Sequence, residues 1–222
     1  MNALILMSRV PVAGKTKTRL IGPLTAQRAA QLHQCFLHDL SLMLSAANSE
    51  LSLFVSYGDE GNPALLMEIF PERFSFFTQS GNTLGERMQN AFEYVFAKGY
   101  DKIVLIGADV PLLNLNDIEQ ALQTLDNKQL VYGPTEDGGY YLIAMRRLIQ
   151  QAFDPAIAWG SNVTLTQSME NLQKEAEIGL IRQLFDIDLI EDLARLQDSN
   201  VTDLLGPHLK DFLLQQLSLS YG

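Results

Sequence analysis

The sequence predicts an α/β fold of three layers, with a mixed, mainly parallel sheet at its centre. Six short runs of apolar, β-branched and aromatic residues lack polar alternation, a pattern typical of strands that are covered on both faces. The runs occupy residues 2–7, 51–57, 74–79, 102–107, 129–133 and 140–145. Helical patterns separate most of these runs, and a chain that alternates strand and helix favours parallel strands joined by right-handed crossovers.

Four predicted helices lie between strands, over residues 25–47, 63–70, 83–98 and 116–125. The alternation stops at the segment GPTEDGG, residues 133–139, which joins two predicted strands without a helix. A short connection of this kind cannot carry the crossover that parallel neighbours need. We therefore expect at least one antiparallel strand there.

The last part of the chain completes the layers. It predicts helices near 163–174 and 190–197, a short strand over 185–188 and an amphipathic C-terminal helix over 202–218. A chain of 222 residues with 47% hydrophobic composition can bury one full core. Because no repeat, low-complexity segment or linker interrupts it, we expect a single domain over 1–222.

Composition and charge exclude several classes of protein. A net charge of −10 and a pI near 4.7 argue against general attraction to nucleic acid or anionic lipid. No apolar run approaches the roughly 18 residues of a membrane span, and the N-terminal strand is followed by a basic loop rather than a signal-peptide pattern. We expect a cytoplasmic protein. The sequence carries no signal for its oligomeric state.

The first strand is followed by an unusual basic loop, RVPVAGKTKTRL, at residues 9–20. Its AGKT resembles part of a P-loop, but Arg9 stands where the P-loop glycine is required. Four of the 16 Lys and Arg of the chain lie here, namely Arg9, Lys15, Lys17 and Arg19. Together with Gly14, which shapes the backbone, these cations predict an anion-binding loop.

Carboxylates follow two of the later strands. Asp109 stands at the tip of the fourth strand, where it points into the crevice that open α/β sheets use for ligands. Glu136 and Asp137 precede Gly138 and Gly139, which permit close approach of a ligand or form a simple hairpin turn. We include Gly138 in the predicted nucleotide site.

Further acidic residues follow the short strand predicted over 185–188. Either Asp186 or Asp188 could reach the crevice or cap the next helix, whereas Asp192 falls inside the helical pattern and is expected to face solvent. Hard carboxylate ligands with no histidine or cysteine favour Mg²⁺ or Mn²⁺ holding substrate phosphates. The anion received by the basic loop would then be the diphosphate of a nucleotide.

Six segments of the chain resemble, in order, the motifs of one bacterial family. The segments are NALILMSRVPVAGKTKTRL, QSGNTLGERM, KIVLIGADVPLL, VYGPTEDGGYYLIAM, FDPAIAWGSNVTLTQ and FDIDLIEDL. The family is DUF2064, a group of glycosyltransferase-like proteins related to the phospholactate and molybdenum-cofactor guanylyltransferases. The resemblance covers about residues 2–196.

The resemblance implies a GT-A fold, the nucleotide-diphospho-sugar transferase architecture, with the donor nucleotide over the first strand. It implies that Lys17 and Arg19 hold phosphates. Asp109 corresponds to the principal metal ligand of the family, and Asp188 to the second. The pattern departs from the family after this second aspartate, where Leu189 and Ile190 replace Thr-Pro.

The resemblance also places residues on the substrates. Gly85, Glu86 and Arg87 belong to a segment near the nucleotide, and Asp137 belongs to the acceptor side. Two further departures are Arg9, which replaces a lysine, and the sequence Gly160-Ser161, which replaces Ser-Thr after the tryptophan.

These residues predict metal-dependent glycosyl transfer from a nucleotide sugar to a small-molecule acceptor. Asp109 is expected to be essential through the metal, and Asp137 or Glu136 to act as general base for the acceptor hydroxyl. The first alternative is nucleotidyl transfer, in which a phosphorylated acceptor attacks a nucleoside triphosphate and pyrophosphate leaves. The second is a nucleotide-binding protein without catalysis.

Overall fold

A seven-stranded sheet forms the centre of the protein, with the strand order β3-β2-β1-β4-β6-β5-β7. The structure is a computed structural model that describes residues 1–172 and 175–220, without the side chains of 216–220. The strands are β1 Asn2–Ser8, β2 Leu51–Tyr57, β3 Phe74–Thr78, β4 Lys102–Ile106, β5 Leu130–Pro134, β6 Tyr140–Met145 and β7 Ile178–Leu180.

The sheet is mixed, as the sequence predicted. Strands β3, β2, β1 and β4 are parallel to one another, and β7 is parallel to β5. Strand β6 is antiparallel to both of its neighbours, β4 and β5. The connection between β5 and β6 is too short to contain a crossover helix, which explains why β6 is antiparallel.

Eight helices cover the sheet within the described ranges. They are α1 Ala26–Ser45, α2 Ala64–Ile69, α3 Leu84–Phe96, α4 Leu115–Thr124, α5 Thr164–Leu172, α6 Ile190–Arg195, α7 Ser199–Thr202 and α8 Pro207–Ser220. Local capping fixes several starts: the side chain of Thr25 accepts a hydrogen bond from Arg28 N, and Thr83 and Glu86 form a reciprocal capping box.

The core consists of two main clusters, one on each face of the sheet. Alternate residues of β1 enter opposite clusters, with Leu4 and Leu6 in one and Ala3 and Ile5 in the other. A third cluster lies between α1, α8 and the segment around residues 185–196. This third cluster fixes that late segment against the start of α1. It thereby positions Asp186 and Asp188, which belong to the site described below.

Two sequence-based predictions for the late part of the chain were wrong. Residues 185–188 form no strand; the neighbouring Leu184 makes only a single bridge to Thr135. The actual edge strand is β7, which the sequence pattern did not reveal because it is only three residues long. The helix predicted over 163–174 begins at Thr164 and is described to Leu172, and its predicted end at Lys174 lies outside the described residues.

The C-terminal helix also begins later than the predicted 202–218. A short helix, α7, ends at Thr202, and α8 starts at Pro207 after Gly206. Proline suits the first turn of a helix because its missing N–H needs no partner there. Asp39 on α1 then accepts hydrogen bonds from the α8 backbone at His208 N (3.0 Å) and Leu209 N (2.9 Å).

No helix in the described ranges has both the length and the apolar character that a membrane span requires.

Candidate active site

The basic loop and the acidic segments meet at one edge of the sheet. The parallel strands β1, β4 and β5 end at this edge, and the antiparallel strand β6 begins there. A backbone hydrogen bond from Ile187 N to Asp109 O, 3.0 Å long, attaches the late acidic segment to the loop after β4. Segments from four parts of the sequence therefore meet at one crevice: 9–20, 107–111, 135–139 and 185–188.

Lys17 forms the centre of this crevice. Its side chain is only 4% exposed, and its Nζ lies 3.1 Å from Asp109 Oδ2 and 3.4 Å from Asp188 Oδ1. The same ammonium donates to Ile187 O at 2.5 Å. The sequence thus predicted correctly that Lys17 and Asp109 lie together. It did not predict that two carboxylates share this buried cation.

The backbone at Lys17 is held in an uncommon conformation. Its φ of 51° and ψ of 44° place it in the left-handed region, and it is the one non-glycine residue with positive φ in the described part of the chain. Thr16 fixes the preceding turn, because its buried hydroxyl donates to Val10 O (2.9 Å) and accepts from Val12 N (3.2 Å). Such strain persists where surrounding contacts over-determine the backbone, which is common at functional sites.

Arg19 converges on the same acidic segment from the solvent side. Its Nη1 lies 3.0 Å from Asp188 Oδ2, and its side chain is 65% exposed. The turn of 3₁₀-helix at Thr18–Leu20 directs Lys17 and Arg19 to the two oxygens of one carboxylate. Both cations therefore face a single place in the crevice, as expected of residues that receive one anion.

Arg9 and Gly14 shape the outer part of the loop. Arg9 Nη1 donates to Lys15 O at 2.9 Å, and its Nε lies 3.7 Å from Glu60 Oε1. Gly14 has a φ of 80°, which glycine adopts without the penalty that other residues incur. Both residues thus support the loop backbone.

The two carboxylates of the β5–β6 turn have different partners. Asp137 Oδ1 accepts hydrogen bonds from the Thr135 hydroxyl and from Gly139 N, so the turn itself orients the carboxylate. Glu136 instead pairs with Arg195 of α6, with 3.0 Å between Nη2 and Oε2. Of the two residues predicted as general base, Glu136 is therefore already engaged in an ion pair.

Asp186 is a further member of the acidic group. Burial, and then the neighbouring charges of Asp137 and Asp188, raise the pKa of Asp186 to about 6. The sequence left open whether Asp186 or Asp188 reaches the crevice, and the structure places both there. Neither caps α6, because Asp192 Oδ2 accepts from the backbone N–H groups at Asp188 (3.1 Å) and Leu189 (2.8 Å). Asp192, which was expected to face solvent, lies in α6 and is partly exposed, and it also makes these two backbone contacts.

His33 on α1 is a buried site residue that the sequence did not indicate. Its Nε2 lies 3.1 Å from Ser8 Oγ and 3.2 Å from Arg9 O, and its Nδ1 lies 4.0 Å from Asp109 Oδ1. Burial lowers the pKa of His33 to about 4, so its imidazole is neutral at physiological pH. A lone histidine inside a helical pattern gives no signal of such contacts, because only the packing of α1 against β1 creates them.

The segment before α3, which contains the predicted nucleotide-binding residues Gly85 and Arg87, is ordered by its own hydrogen bonds. Arg87 Nε donates to Gly81 O at 3.0 Å, and Glu86 accepts from Asn82 N in the capping arrangement. A Cβ at Gly85 would lie 2.6 Å from the ring of Trp159. The glycine therefore permits the loop that carries Trp159 to pack directly on the start of α3.

The carboxylates at this edge match the donor preferences of Mg²⁺ and Mn²⁺. Asp109 and Asp188 both contact one ammonium, so their oxygens lie within reach of a common cation. Within residues 1–172 and 175–220, no three His, Cys, Asp or Glu side chains converge as metal ligands. Mg²⁺ commonly uses one or two carboxylates and takes its remaining ligands from water and substrate phosphates, so the pair fits such an ion.

Comparison with known protein families gives one match. Residues 42–161 match the profile of DUF2064, described as "Uncharacterized protein conserved in bacteria". None of the curated proteins matches the chain.

Solved structures share the fold over nearly the whole chain. A Desulfovibrio desulfuricans G20 protein, described provisionally as a nucleotide-diphospho-sugar transferase, matches with a TM-score of 0.86 and 27% identity, over 98% of this chain and 96% of that one. This likeness confirms the predicted fold.

Two more distant structures are similar in fold. The 4-diphosphocytidyl-2C-methyl-D-erythritol synthase of Anaerococcus prevotii DSM 20548 has a TM-score of 0.57 at 12% identity, covering 86% of this chain and 92% of its own. A CMP:2-keto-3-deoxy-manno-octonic acid synthetase, solved with CTP, has a TM-score of 0.53 at 11% identity, covering 91% and 99%. At these low identities the two likenesses show a shared fold.

Proposed function

Because this chain belongs to the DUF2064 family and has the nucleotide-diphospho-sugar transferase fold, we propose that it transfers a glycosyl group from a nucleotide sugar to a small-molecule acceptor. The observation that carries the proposal is the convergence of Lys17, Asp109 and Asp188 where β1 and β4 end. A buried cation beside two carboxylates is the arrangement expected for binding a diphosphate together with a divalent ion.

The donor diphosphate would be bound by the basic loop. Lys17 would turn its ammonium from the carboxylates to a phosphate oxygen, and Arg19 would hold a second oxygen from the solvent side. Asp109 and Asp188 would hold Mg²⁺ or Mn²⁺. When bound, the ion supplies Lewis-acid stabilisation of the charge that develops on the departing diphosphate.

The acceptor would approach from the β5–β6 turn. In the transfer, the bond between the sugar carbon and the diphosphate oxygen breaks, and a bond from that carbon to the acceptor oxygen forms. Asp137 is the favoured general base, and it takes the proton of the acceptor hydroxyl. Glu136 is less suited to this role, since its carboxylate is already engaged by Arg195.

Nucleotidyl transfer is the alternative that the same crevice could support. Its specific support is the concentration of Arg9, Lys15, Lys17 and Arg19 within one loop, which suits the greater charge of a triphosphate. In this reaction an acceptor phosphate would attack the α-phosphate of a nucleoside triphosphate, and pyrophosphate would leave.

Incubation with panels of nucleotide sugars and nucleoside triphosphates, each with Mg²⁺ or Mn²⁺, separates these reactions. Release of a nucleoside diphosphate that depends on an acceptor indicates glycosyl transfer, and release of pyrophosphate indicates nucleotidyl transfer. Binding of a nucleotide without either product would support a non-catalytic protein. A thermal-shift screen should identify the nucleotide first, because a ligand of the folded state raises its apparent stability.

Substitution of Asp109 tests the site itself. We expect Asp109→Asn to lower kcat by about 10²-fold or more, since loss of one stabilising group at a reacting anion has that effect. Asp126→Asn is the matched control, because Asp126 pairs with Lys102 at the opposite edge of the sheet. Full metal-dependent turnover by Asp109→Asn would refute the proposed site.

A further inference from the structure

Hydrogen bonding around His33 leaves one buried nitrogen unmatched. The residue is 3% exposed, and its Nδ1 is a buried polar atom without a hydrogen-bond partner among the described residues. That nitrogen faces Asp109 Oδ1 at 4.0 Å. On the other side of the ring, Nε2 lies near Ser8 Oγ and Arg9 O. His33 thus connects the end of β1 to the carboxylate that we propose as the main metal ligand.

The Ser8 hydroxyl decides which ring nitrogen carries the proton. It lies 2.8 Å from Arg9 O and 3.1 Å from His33 Nε2, so it can donate to either. If it donates to Arg9 O, then Nε2 carries the imidazole proton and Nδ1 is a bare acceptor. If it donates to Nε2, the imidazole proton is on Nδ1 and is directed at Asp109.

The charge of Asp109 favours the second arrangement. In the first, a buried lone pair faces an anionic oxygen, and no proton lies between the two acceptors. In the second, an N–H dipole faces that oxygen at 4.0 Å, while Arg9 O loses its neutral hydrogen bonds and lies 3.2 Å from the bare Nε2. Hydrogen bonds with an ionised partner are roughly twice as strong as those between neutral groups. The N–H of the second arrangement can form such a bond once the carboxylate moves closer, and this gain outweighs the loss at the carbonyl.

Building on the proposed function, we propose that His33 is a positioning residue, protonated on Nδ1, that orients the Asp109 carboxylate. Its N–H is directed at Oδ1, which leaves Oδ2 facing Lys17 and the crevice. Closing the distance to that of a hydrogen bond needs a movement of about 1 Å, which side-chain rotation of Asp109 supplies once Lys17 turns to a phosphate. Partners of this kind fix the orientation of a ligating carboxylate.

Catalytic triads have the same succession of contacts, from a serine to a histidine to an aspartate, but Ser8 is not a nucleophile here. Ser8 is 5% exposed, and its hydroxyl lies against the Arg9 carbonyl at the end of β1. A triad serine has to reach a substrate carbonyl. In this protein its hydroxyl instead selects the tautomer of His33.

Nitrogen NMR of ¹⁵N-histidine-labelled protein tests the tautomer directly. The chain has only three histidines, so the signals can be assigned by substitution. We expect His33 to be protonated on Nδ1 and bare on Nε2. In Asp109→Asn and in Ser8→Ala, the proton should shift toward Nε2. A wild-type His33 protonated on Nε2, with no change in Asp109→Asn, would overturn the proposal.

Replacing His33 with residues that mimic only one of its two ring nitrogens tests whether it positions Asp109. An asparagine amide can take the place of Nδ1, a glutamine amide that of Nε2, and phenylalanine keeps the ring without either. We expect His33→Phe and His33→Gln to weaken the binding of Mn²⁺ alone by about 10-fold, as measured by EPR of free Mn²⁺. His33→Asn should retain most of the affinity, and His38→Phe, where α1 packs on α8, is the matched control.

The outcomes separate the two proposals. Rescue by glutamine but not by asparagine would show that His33 only supports Ser8 and Arg9, which contradicts positioning of Asp109. Wild-type protein that binds neither Mn²⁺ nor any nucleotide would refute the proposed function. The tautomer and its dependence on Asp109 would still be read from the NMR spectrum of that protein.

Discussion

The ammonium of Lys17 lies 3.1 Å from Asp109 Oδ2, in a crevice to which the two residues are brought by different strands. Lys17 is buried at 4% exposure, while the Asp109 side chain is 43% exposed. Burial alone would raise the pKa of Asp109, but the charge of Lys17, its hydrogen bond and the other nearby cationic groups together outweigh it, and the pKa is lowered. The carboxylate is therefore ionised and held by a cation at the place where we propose a metal.

Lys17 and a metal should compete for the same oxygens in the free protein. We expect Lys17→Met to bind Mn²⁺ at least about 10-fold more tightly without nucleotide, equivalent to ~1.4 kcal/mol. The Lys17 ammonium and a metal ion about 4 Å apart would repel each other by more than that value even at an effective dielectric constant of about 20. The same variant should bind nucleotide more weakly. EPR titration of Mn²⁺ and calorimetry with the nucleotide measure the two effects.

Lys15→Met is the control for that substitution. Lys15 lies in the same loop, but its Nζ donates to Glu60 O at 3.0 Å. Its loss should leave Mn²⁺ affinity unchanged. Weaker Mn²⁺ binding in Lys17→Met would contradict the competition.

Asp186 should make the fold less stable at neutral pH than at acid pH. Its folded-state pKa of about 6 lies above the ordinary value near 3.9. The folded protein then binds the proton more tightly than the unfolded chain. Its stabilising contribution is complete below pH ~3.9 and is lost as the pH rises through about 6.

Asp186→Asn should therefore stabilise the protein at pH 7.5. We expect about 1 kcal/mol after discounting for solvent screening, or a rise in Tm of ~2–4 °C. The gain should shrink toward pH 4, where the native carboxyl is protonated. Exposed Asp59→Asn is the control. Calorimetry across this pH range measures both, and an equal or larger gain at pH 4 would show that ionisation of the partly buried Asp186 is not the cause.

Much of the site follows from sequence because its residues stand directly after strands. The runs that end before Arg9, Asp109 and Glu136 are apolar enough to identify as strands, and parallel topology places their C-terminal ends at one edge. The sequence-based prediction that Lys17 and Asp109 meet needed no more than this. Local pattern and the topology rule were sufficient.

The contacts themselves depend on packing between distant segments. The left-handed backbone of Lys17 is set by Thr16, and the ion pair between Glu136 and Arg195 by the position of α6. His33 reaches Asp109 only because α1 packs behind β1. Neither propensity nor spacing contains these distances, which is why the sequence could name candidate bases but could not separate Asp137 from Glu136.

Gly138 should be sensitive to substitution for a reason that goes beyond its backbone conformation. A Cβ there would lie 2.0 Å from Asn162 O, so the loop after β6 could not keep its position. Gly99 has a closely similar φ, 88° against 90°, but a Cβ at that residue would meet nothing within 4 Å. Comparing substitutions at Gly138 and Gly99 therefore separates the effect of steric crowding from that of backbone strain.

We expect Gly99→Ala to cost about 1 kcal/mol, the ordinary penalty of the left-handed conformation. Gly138→Ala should cost about 3 kcal/mol, since overpacking adds to that penalty. It should also lower transferase activity through displacement of the loop. Urea unfolding compares the two variants. Equal free energies of unfolding would mean that the loop containing Asn162 moves to accommodate the added methyl group without loss of stability.

The pair between Asp117 and Arg182 should contribute most of its stability by neutralising a buried charge. Asp117 is 2% exposed, and Arg182 contacts it with two nitrogens, one of them Nη2 at 2.7 Å from Oδ2. Arg182 Nη2 also donates to Leu112 O at 3.0 Å. This pair fixes the chain after β7 to the start of α4, and thereby the approach of the segment that carries Asp186 and Asp188.

We expect Arg182→Met to lower the free energy of unfolding by about 3 kcal/mol, because Asp117 then remains charged and buried without its partner. Tm should fall by ~6–12 °C. The double variant with Asp117→Asn should recover part of this loss, since no unpaired charge remains. Lys128→Met, which breaks an exposed pair with Glu177 at 3.3 Å, should cost less than about 1 kcal/mol. If the double variant were no more stable than Arg182→Met, packing of the arginine stem rather than charge would account for the loss.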